Sequence, residues 1–436
     1  MNELDAKPRS AARCKGLLVI LDGLGDRPSP ALDGRTPLEA AETPAFDALL
    51  ARGQGGQVDP LFPGMPVDTH TGVAALMGVQ PRQLVRIARG PVEAIGAGLE
   101  FESGDILLRC NFATLERDGT GYLILDRRAG RIRTGTEELA ASLGEMELPG
   151  GVRGLLRAGT QHRAVLRLRG ESLSPRISDT DPGAGSSEER MLSCRALKPG
   201  NVRAERSAAA VNAFVERAAE LLDRHPINAR RVARGLRPAN GILSRNAGAL
   251  GRIRGLANEL GLRTAVVAGE KTLHGIGRLL GYQLVRDERF TALADSDLTA
   301  KAEAAQAALR DHDLVFLHIK APDICSHDLS PDGKREVLER IDTALASLIS
   351  DPALAIAISG DHSTDSNTGR HSGDPVPTIL TAPAGRQDDV VQFGERTCAH
   401  GALGRIRAAG LFVSLLEAMG ALDNYHPGLA EFIRGG

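Results

Sequence analysis

Tryptophan is absent from this 436-residue chain, and aromatic residues make up only 3% of it. A surface that binds nucleic acid by stacking bases on rings is therefore not expected. Charge of one sign is lacking too. Fifty-three basic residues face 55 acidic ones, for a net charge of −2. That balance gives no reason to expect a nucleic-acid or acidic-membrane partner. Cysteine is scarce: Cys14, Cys110, Cys194, Cys325 and Cys398 are five, an odd number, and none forms a CxxC pair. Free thiols in a reducing compartment fit better than a disulfide framework. No apolar run approaches the roughly 18 residues of a membrane span. The opening residues, MNELDAKPRSAARCKG, lack the apolar core of a signal peptide. A cytoplasmic location is expected.

What the chain has is an ordinary globular balance, 42% hydrophobic and 25% charged. Its length exceeds one ordinary core, so two domains are expected. Residues Gly16 to Leu21 (GLLVIL) are a continuous apolar run ending in Asp22. A buried parallel strand reads this way when it delivers a polar residue from its carboxyl end. Asp313 to Ile319 and Leu354 to Ser359 repeat the pattern, and Arg263 to Ala268 is a shorter candidate. Helical patterns lie between them, at Pro44 to Arg52, Leu298 to Arg310 and Lys334 to Leu348. This alternation predicts a doubly wound α/β sheet with ligands gathered at its carboxyl edge. The middle differs. Arg163 to Arg169 alternates apolar and basic residues, as a half-exposed strand does, and Ala208 to Leu222 is an amphipathic helix. We expect a sheet domain of residues 1–95 and 245–436, with a smaller α+β domain of 96–244 inserted as the substrate-binding part.

Histidine and aspartate cluster near the strand ends. Asp323 and His327 are four apart, so on a helical turn they share one face. Asp361-His362 follows a strand directly, and His371 sits in a Gly- and Pro-bounded loop. With Asp22 these make three carboxylates and three imidazoles, a donor set that suits Mn²⁺ or Zn²⁺ and suffices for two ions. Paired ions can bind both the attacking and the leaving oxygen of a phosphoryl displacement. Each residue alone has an ordinary structural reading, the Asp as a helix cap and the His as a satisfied side chain. Their joint placement at one sheet edge points to a site.

Longer motifs go further. Asp22-Gly-Leu-Gly-Asp26-Arg-Pro and Thr36-Pro-Leu-Glu-Ala-Ala open the series, and Arg89-Gly-Pro-Val-Glu-Ala-Ile-Gly-Ala-Gly98 and Arg109-Cys-Asn111 continue it. His162-Arg163, Asp179-Thr-Asp181-Pro182 and Pro238-Ala-Asn240-Gly-Ile-Leu-Ser-Arg245 follow. His318-Ile-Lys-Ala-Pro-Asp323, Gly360-Asp-His-Ser-Thr364 and His371-Ser-Gly-Asp-Pro-Val-Pro377 close it. In this order the chain resembles archaeal-type cofactor-independent phosphoglycerate mutases of the alkaline phosphatase superfamily. The resemblance implies an alkaline-phosphatase-like core with one metal held by Asp323, His327 and His371. It implies a second held by Asp22, Asp361, His362 and the nucleophile, with Mn²⁺ expected first and Zn²⁺, Co²⁺ or Mg²⁺ as alternatives. The family's serine nucleophile falls in register with Thr69, with Thr71 as the alternative. Arg109, Arg163, Arg245 and His274 are the expected substrate-binding residues, and Asp181 or His162 the expected proton shuttle.

The chain also departs from the family pattern. His70 stands where the family has Asp, Gly183 replaces the histidine of an Asp-Pro-His, and His274-Gly275 replaces a Lys-Gly. A kept cage with an altered nucleophile loop suggests a changed substrate. Four readings follow: a mutase acting on a phosphoglycerate, a transferase moving a phosphonoformyl group from a nucleotide-activated donor to a phosphoglycerate as in phosphonate antibiotic biosynthesis, a phosphatase or phosphodiesterase, and a binding protein without turnover.

Overall fold

A computed structural model describes residues 14–79, 84, 94, 99, 100, 102, 104–183, 189–249 and 255–422. The Arg89 to Gly98 motif lies outside the described residues, Ala94 excepted. In chain order the strands are β1 (Lys15–Leu21), β2 (Gln54–Asp59), β3 (Ile106–Arg117), β4 (Tyr122–Asp126), β5 (Glu145–Leu148), β6 (Val152–Ala158), β7 (Arg163–Arg169) and β8 (Gly241–Gly248). They continue with β9 (Thr264–Val267), β10 (Gln283–Val285), β11 (Leu314–Ile319), β12 (Leu354–Ser359), β13 (Ser363–Asp365), β14 (Arg370–Ser372), β15 (Val376–Thr381) and β16 (Gly404–Arg407).

The chain divides into two compact units, Met1–Val85 with Ile253–Gly436, and Arg86–Arg252. The first is built on an eight-stranded sheet of order β10-β9-β11-β1-β12-β15-β2-β16. From β10 to β12 the neighbours are parallel. The strand β15 is antiparallel to both β12 and β2. Six residues of β1 are fully or nearly fully buried because both faces are covered. Leu17, Val19 and Leu21 join the core that includes Leu338, Ile341 and Leu345 of the helix Pro331–Ile349. On β11, Phe316 stacks between Tyr282 and Phe412 at centroid distances of 5.7 and 6.0 Å. The continuous apolar runs thus reflect helices on both sides, as a doubly wound sheet requires.

This strand order is what positions the site. The strand β1 lies between β11 and β12, with Ile20 opposite His318 on one side and Ser359 on the other. Residues some 300 positions apart in sequence therefore leave the sheet side by side at its carboxyl edge. A buried lysine fixes the first turn there. Lys334 Nζ donates to Gly23 O at 2.7 Å, to Asp26 Oδ2 at 2.8 Å and to Thr364 O at 3.2 Å. Both Lys334 and the Asp26 side chain are solvent-inaccessible. Lys334→Met leaves a buried carboxylate without its cation, and should cost about 3–5 kcal/mol. Chemical denaturation of the purified variant checks this, the expected result being a lower midpoint with an unchanged slope.

The second unit holds a sheet of order β4-β3-β7-β6-β5, with β8 also pairing β3. The helix Val202–Asp223 packs Ala208, Val211, Phe214 and Ala218 into its core. The expected boundary at 244/245 falls inside β8, whose pairing with β3 extends to Gly248 opposite Leu107. The unit therefore runs on to Arg252. The expected half-exposure of Arg163 to Arg169 is also corrected. The strand β7 is central, between β3 and β6, and its five middle residues are buried. Arg167 is tolerated there because it donates to Glu100 O at 2.8 Å and Glu145 Oε1 at 2.7 Å. All five cysteines are free thiols. No described helix is long and apolar enough to cross a membrane.

Candidate active site

Three strand ends and one helix start deliver the first unit's polar groups. Asp22 follows β1, Lys320 and Asp323 follow β11, and Asp361 and His362 follow β12. The β13–β14 hairpin brings His371 opposite Thr364. Thr69 is the first residue of the helix Thr69–Leu76. That helix approaches Asp361 so closely that a Cβ on Gly72 would lie 1.9 Å from the Asp361 carbonyl oxygen. Gly23, at φ +65°, turns the chain after Asp22 where a side chain would meet Asp323 and Thr364.

Among the described residues three groups of donor atoms lie within 4.8 Å, Asp323–His327–His371, Asp22–Asp361–His362 and Asp22–Glu270–His318, and the first two are the expected triads. The hydrogen bonds around them assign the imidazole tautomers. His327 Nδ1 meets Gly369 O and His371 Nδ1 meets Val67 O, both at 2.8 Å. A carbonyl only accepts, so each Nδ1 carries a proton, and in the neutral ring each Nε2 is bare. Those bare nitrogens face Asp323 Oδ1 at 3.5 and 3.7 Å. Thr364 Oγ1 donates to Asp323 Oδ1 at 3.0 Å and so accepts from His362 Nδ1, also at 3.0 Å. His362 Nε2 then faces Asp22 Oδ1 and Asp361 Oδ2, each at 3.4 Å. Lone pairs aimed at carboxylate oxygens repel unless a cation lies between them. This donor set fits a divalent ion in each triad.

The electrostatics agree. Burial pushes the Asp22 and Asp361 carboxyls well above the usual carboxylate range, and Asp22 adds to the rise at Asp361. Burial also raises Asp323, but Lys320, His362 and His327 outweigh it and hold that carboxyl low. Burial, then His371, holds His362 well below the ordinary imidazole value.

Thr69 Oγ1 stands 3.2 Å from His362 Nε2, and Lys320 Nζ donates to it at 3.3 Å. Among the described residues this hydroxyl, rather than that of Thr71, meets the triads. The sequence reading missed three groups here. His318, inside the apolar run of β11, meets Asp22 Oδ2 at 2.9 Å, and burial pushes its imidazole down to about 3, so it donates as a neutral ring. Lys320 reaches both triads. Glu270 lies 4.0 Å from Lys320 Nζ. The alternation of apolar and polar residues at 318–320 was the available signal. Burial lowers His274, and its Nε2 is engaged by Ala268 O at 2.8 Å.

The second unit carries its own cationic cluster. Strand register sets Arg109 opposite Arg245 and Asn111 opposite Arg163, so period two puts all four on one face. Burial, then Arg163, Arg128, Arg109 and Arg245, lowers the His162 imidazole to about 4. Like charges held opposite each other in a sheet suit an anionic ligand. Asp181 pairs with Arg127 and lies 3.9 Å from Arg245 Nε.

A doubly wound α/β sheet with two carboxylate–imidazole triads and a hydroxyl at its carboxyl edge defines a class of enzyme built for phosphoryl chemistry. The family model for 2,3-bisphosphoglycerate-independent phosphoglycerate mutase matches residues 51–228. A mutase of that name from Methanothermobacter thermautotrophicus is 38% identical over 414 residues, covering 94% of this chain and 99% of the relative. Another from Methanopyrus kandleri is 39% identical over 418 residues, covering 94% and 98%. The solved cofactor-independent phosphoglycerate mutase of Thermoplasma acidophilum is 33% identical with a TM-score of 0.67, covering 93% of this chain and 99% of that one. A solved Pyrococcus horikoshii protein is 31% identical with a TM-score of 0.78, covering 95% and 100%. The chain belongs to the 2,3-bisphosphoglycerate-independent phosphoglycerate mutase family.

Proposed function

We propose that this chain interconverts phosphoglycerates by carrying the phosphoryl group on Thr69 at a two-metal site. The observation that carries the reading is the Thr69 hydroxyl, held between His362 Nε2 and Lys320 Nζ beside both triads. Asp323, His327 and His371 would hold one divalent ion, Mn²⁺ first among the candidates. Asp22, Asp361 and His362 would hold the other together with Thr69. Bound there, such ions supply Lewis acidity and neutralise phosphoryl charge.

The chain's own residues do the rest. Thr69 Oγ1 gives up its proton and forms a bond to phosphorus as the ester bond to glycerate breaks. The released glycerate oxygen takes a proton, and the other hydroxyl of glycerate then takes the group back from Thr69. Its position at the helix start favours negative charge on the oxygen. Arg109, Arg163 and Arg245 bind the anionic groups of the substrate. Burial first, then the guanidinium field, depresses His162; a bound anion offsets only the second, and His162 is the first candidate for the proton shuttle. Asp181, paired with Arg127, is the weaker candidate for that role. Transfer must outrun hydrolysis of the phosphothreonine, which requires exclusion of water. Arg163→Ala should therefore lower phosphoryl transfer to glycerate by about 10–100-fold, the value of a charge-assisted hydrogen bond, while hydrolysis of a small phosphate ester falls less. Parallel assays of the two reactions check this, and equal losses would contradict it.

The named relatives favour this reading over a phosphonoformyl transfer. The test is to supply 3-phosphoglycerate to the Mn²⁺-loaded enzyme without 2,3-bisphosphoglycerate and follow 2-phosphoglycerate by phosphorus NMR. Interconversion is expected. Release of inorganic phosphate alone, or turnover only with a nucleotide-activated phosphonate, would replace the reading.

A further inference from the structure

We propose that Lys320 is a further catalytic residue, an internal cation that spans the two ligand triads and holds the Thr69 oxygen, and that Glu270 positions it. Its catalytic half rests on the reading of Thr69 as nucleophile. Lys320 follows the last residue of β11 and precedes Asp323 by three. Its Nζ lies 3.0 Å from Asp22, 2.6 Å from Asp323 and 3.3 Å from Thr69 Oγ1. Asp22 belongs to one triad and Asp323 to the other. An ammonium has three hydrogens, and here it has three acceptors: a carboxylate from each triad and the hydroxyl. Glu270 Oε2 sits beyond them at 4.0 Å, and Glu270 Oε1 accepts from Thr272 Oγ1 at 3.1 Å, which ties the carboxylate down.

Simple compensation of buried acids would need only the two aspartates. The third contact is what separates the readings. Thr69 Oγ1 accepts from Lys320 and lies 3.2 Å from His362 Nε2, the ring nitrogen left for an ion. The Lys320 ammonium polarises the hydroxyl. As its proton leaves, to end on the released glycerate oxygen, the oxygen–phosphorus bond forms and the glycerate ester bond breaks; the Lys320 ammonium keeps all its protons and shares the oxygen's charge, as a preorganised donor does. Lys320 also shares Asp22 and Asp323 with any ion that loads the triads, so ammonium and metal compete for the same oxygens.

The experiment measures Mn²⁺ affinity by calorimetry, and Thr69 phosphorylation in a single turnover, on the full-length wild type, K320M, K320R and E270Q. K320M should bind Mn²⁺ at least about fivefold more tightly, the effect of removing one unit charge at about 4 Å in water. Its phosphorylation rate should fall about 10²–10³-fold, the cost of losing one preorganised donor, with little change in KM. K320R, which keeps the charge, should recover part of that rate. E270Q should shift Mn²⁺ affinity the opposite way and lower kcat rather than raise KM. K320Q, read by the same two measurements, covers the case in which K320M does not fold. Unchanged Mn²⁺ affinity with a phosphorylation rate within twofold of wild type would overturn the proposal. Tighter Mn²⁺ binding in K320M, with no adduct on Thr69 in the wild type, would support the bridging position and overturn the nucleophile reading together with the catalytic role.

Discussion

Thr69→Ala is expected to lose turnover by roughly 10⁴–10⁶-fold, the range seen when a covalent nucleophile is removed. The fold should survive. Thr69 is a partly exposed residue at the first position of the helix Thr69–Leu76, and the helix is anchored by Val73, Ala74, Ala75 and Leu76, all buried. The Oγ1 contacts with His362 and Lys320 go. Thr69→Ser should restore turnover, since serine presents the same oxygen without the methyl group. Steady-state assays of the three proteins, with circular dichroism to verify folding, check the result. Turnover in Thr69→Ala near the wild-type level would remove the nucleophile assignment. Loss in Thr71→Ala instead would move it two residues along the helix.

Stripping divalent ions has the second large effect. Asp22, Asp323 and Asp361 are almost fully buried, and Asp22 repels Asp361. Two imidazole Nε2 atoms, those of His327 and His371, face Asp323. The Lys320 ammonium faces Asp22 and Asp323. Chelation should abolish activity, and Mn²⁺ should restore it. Thermal stability should rise on reloading, by about 4 kcal/mol at a thousandfold excess of ion over its dissociation constant. Asp323→Asn should weaken Mn²⁺ binding by more than the ~10–100-fold typical of an outer-shell partner. Full activity in chelator-treated, metal-free protein would contradict the account.

Much of this architecture was legible in the sequence, for a physical reason. The runs 16–21, 314–319 and 354–359 are apolar throughout because helices cover both faces of the sheet, and only parallel α/β packing demands that. Their polar ends were legible for the same reason: an aspartate directly after such a strand emerges at the carboxyl edge. What could not be read is which ends become neighbours. The order β11-β1-β12 is a long-range fact, and it puts Lys320 between Asp22 and Asp323. A lysine after a strand otherwise reads as a solvated charge. Glu270 follows β9 in the same way and gave no sign of meeting Lys320. The boundary near 244 was misplaced because the partner of β8 is β3, over a hundred residues earlier. Arg167 looked exposed because its basic alternation mimics an edge strand, whereas Glu145 and the Glu100 carbonyl satisfy it inside. Nothing in the sequence pattern marks Gly72 as a contact. In the fold it is the contact that lets the Thr69 helix touch Asp361.

The most direct test of the central claim is an acid quench of the Mn²⁺-loaded enzyme during turnover of 3-phosphoglycerate, followed by intact-mass analysis and peptide mapping. The expected result is one added phosphoryl group, mapped to Thr69, that appears in the wild type and not in Thr69→Ala. Sustained turnover with no phosphorylated enzyme at any quench time, or a phosphoryl group on another residue, would contradict it.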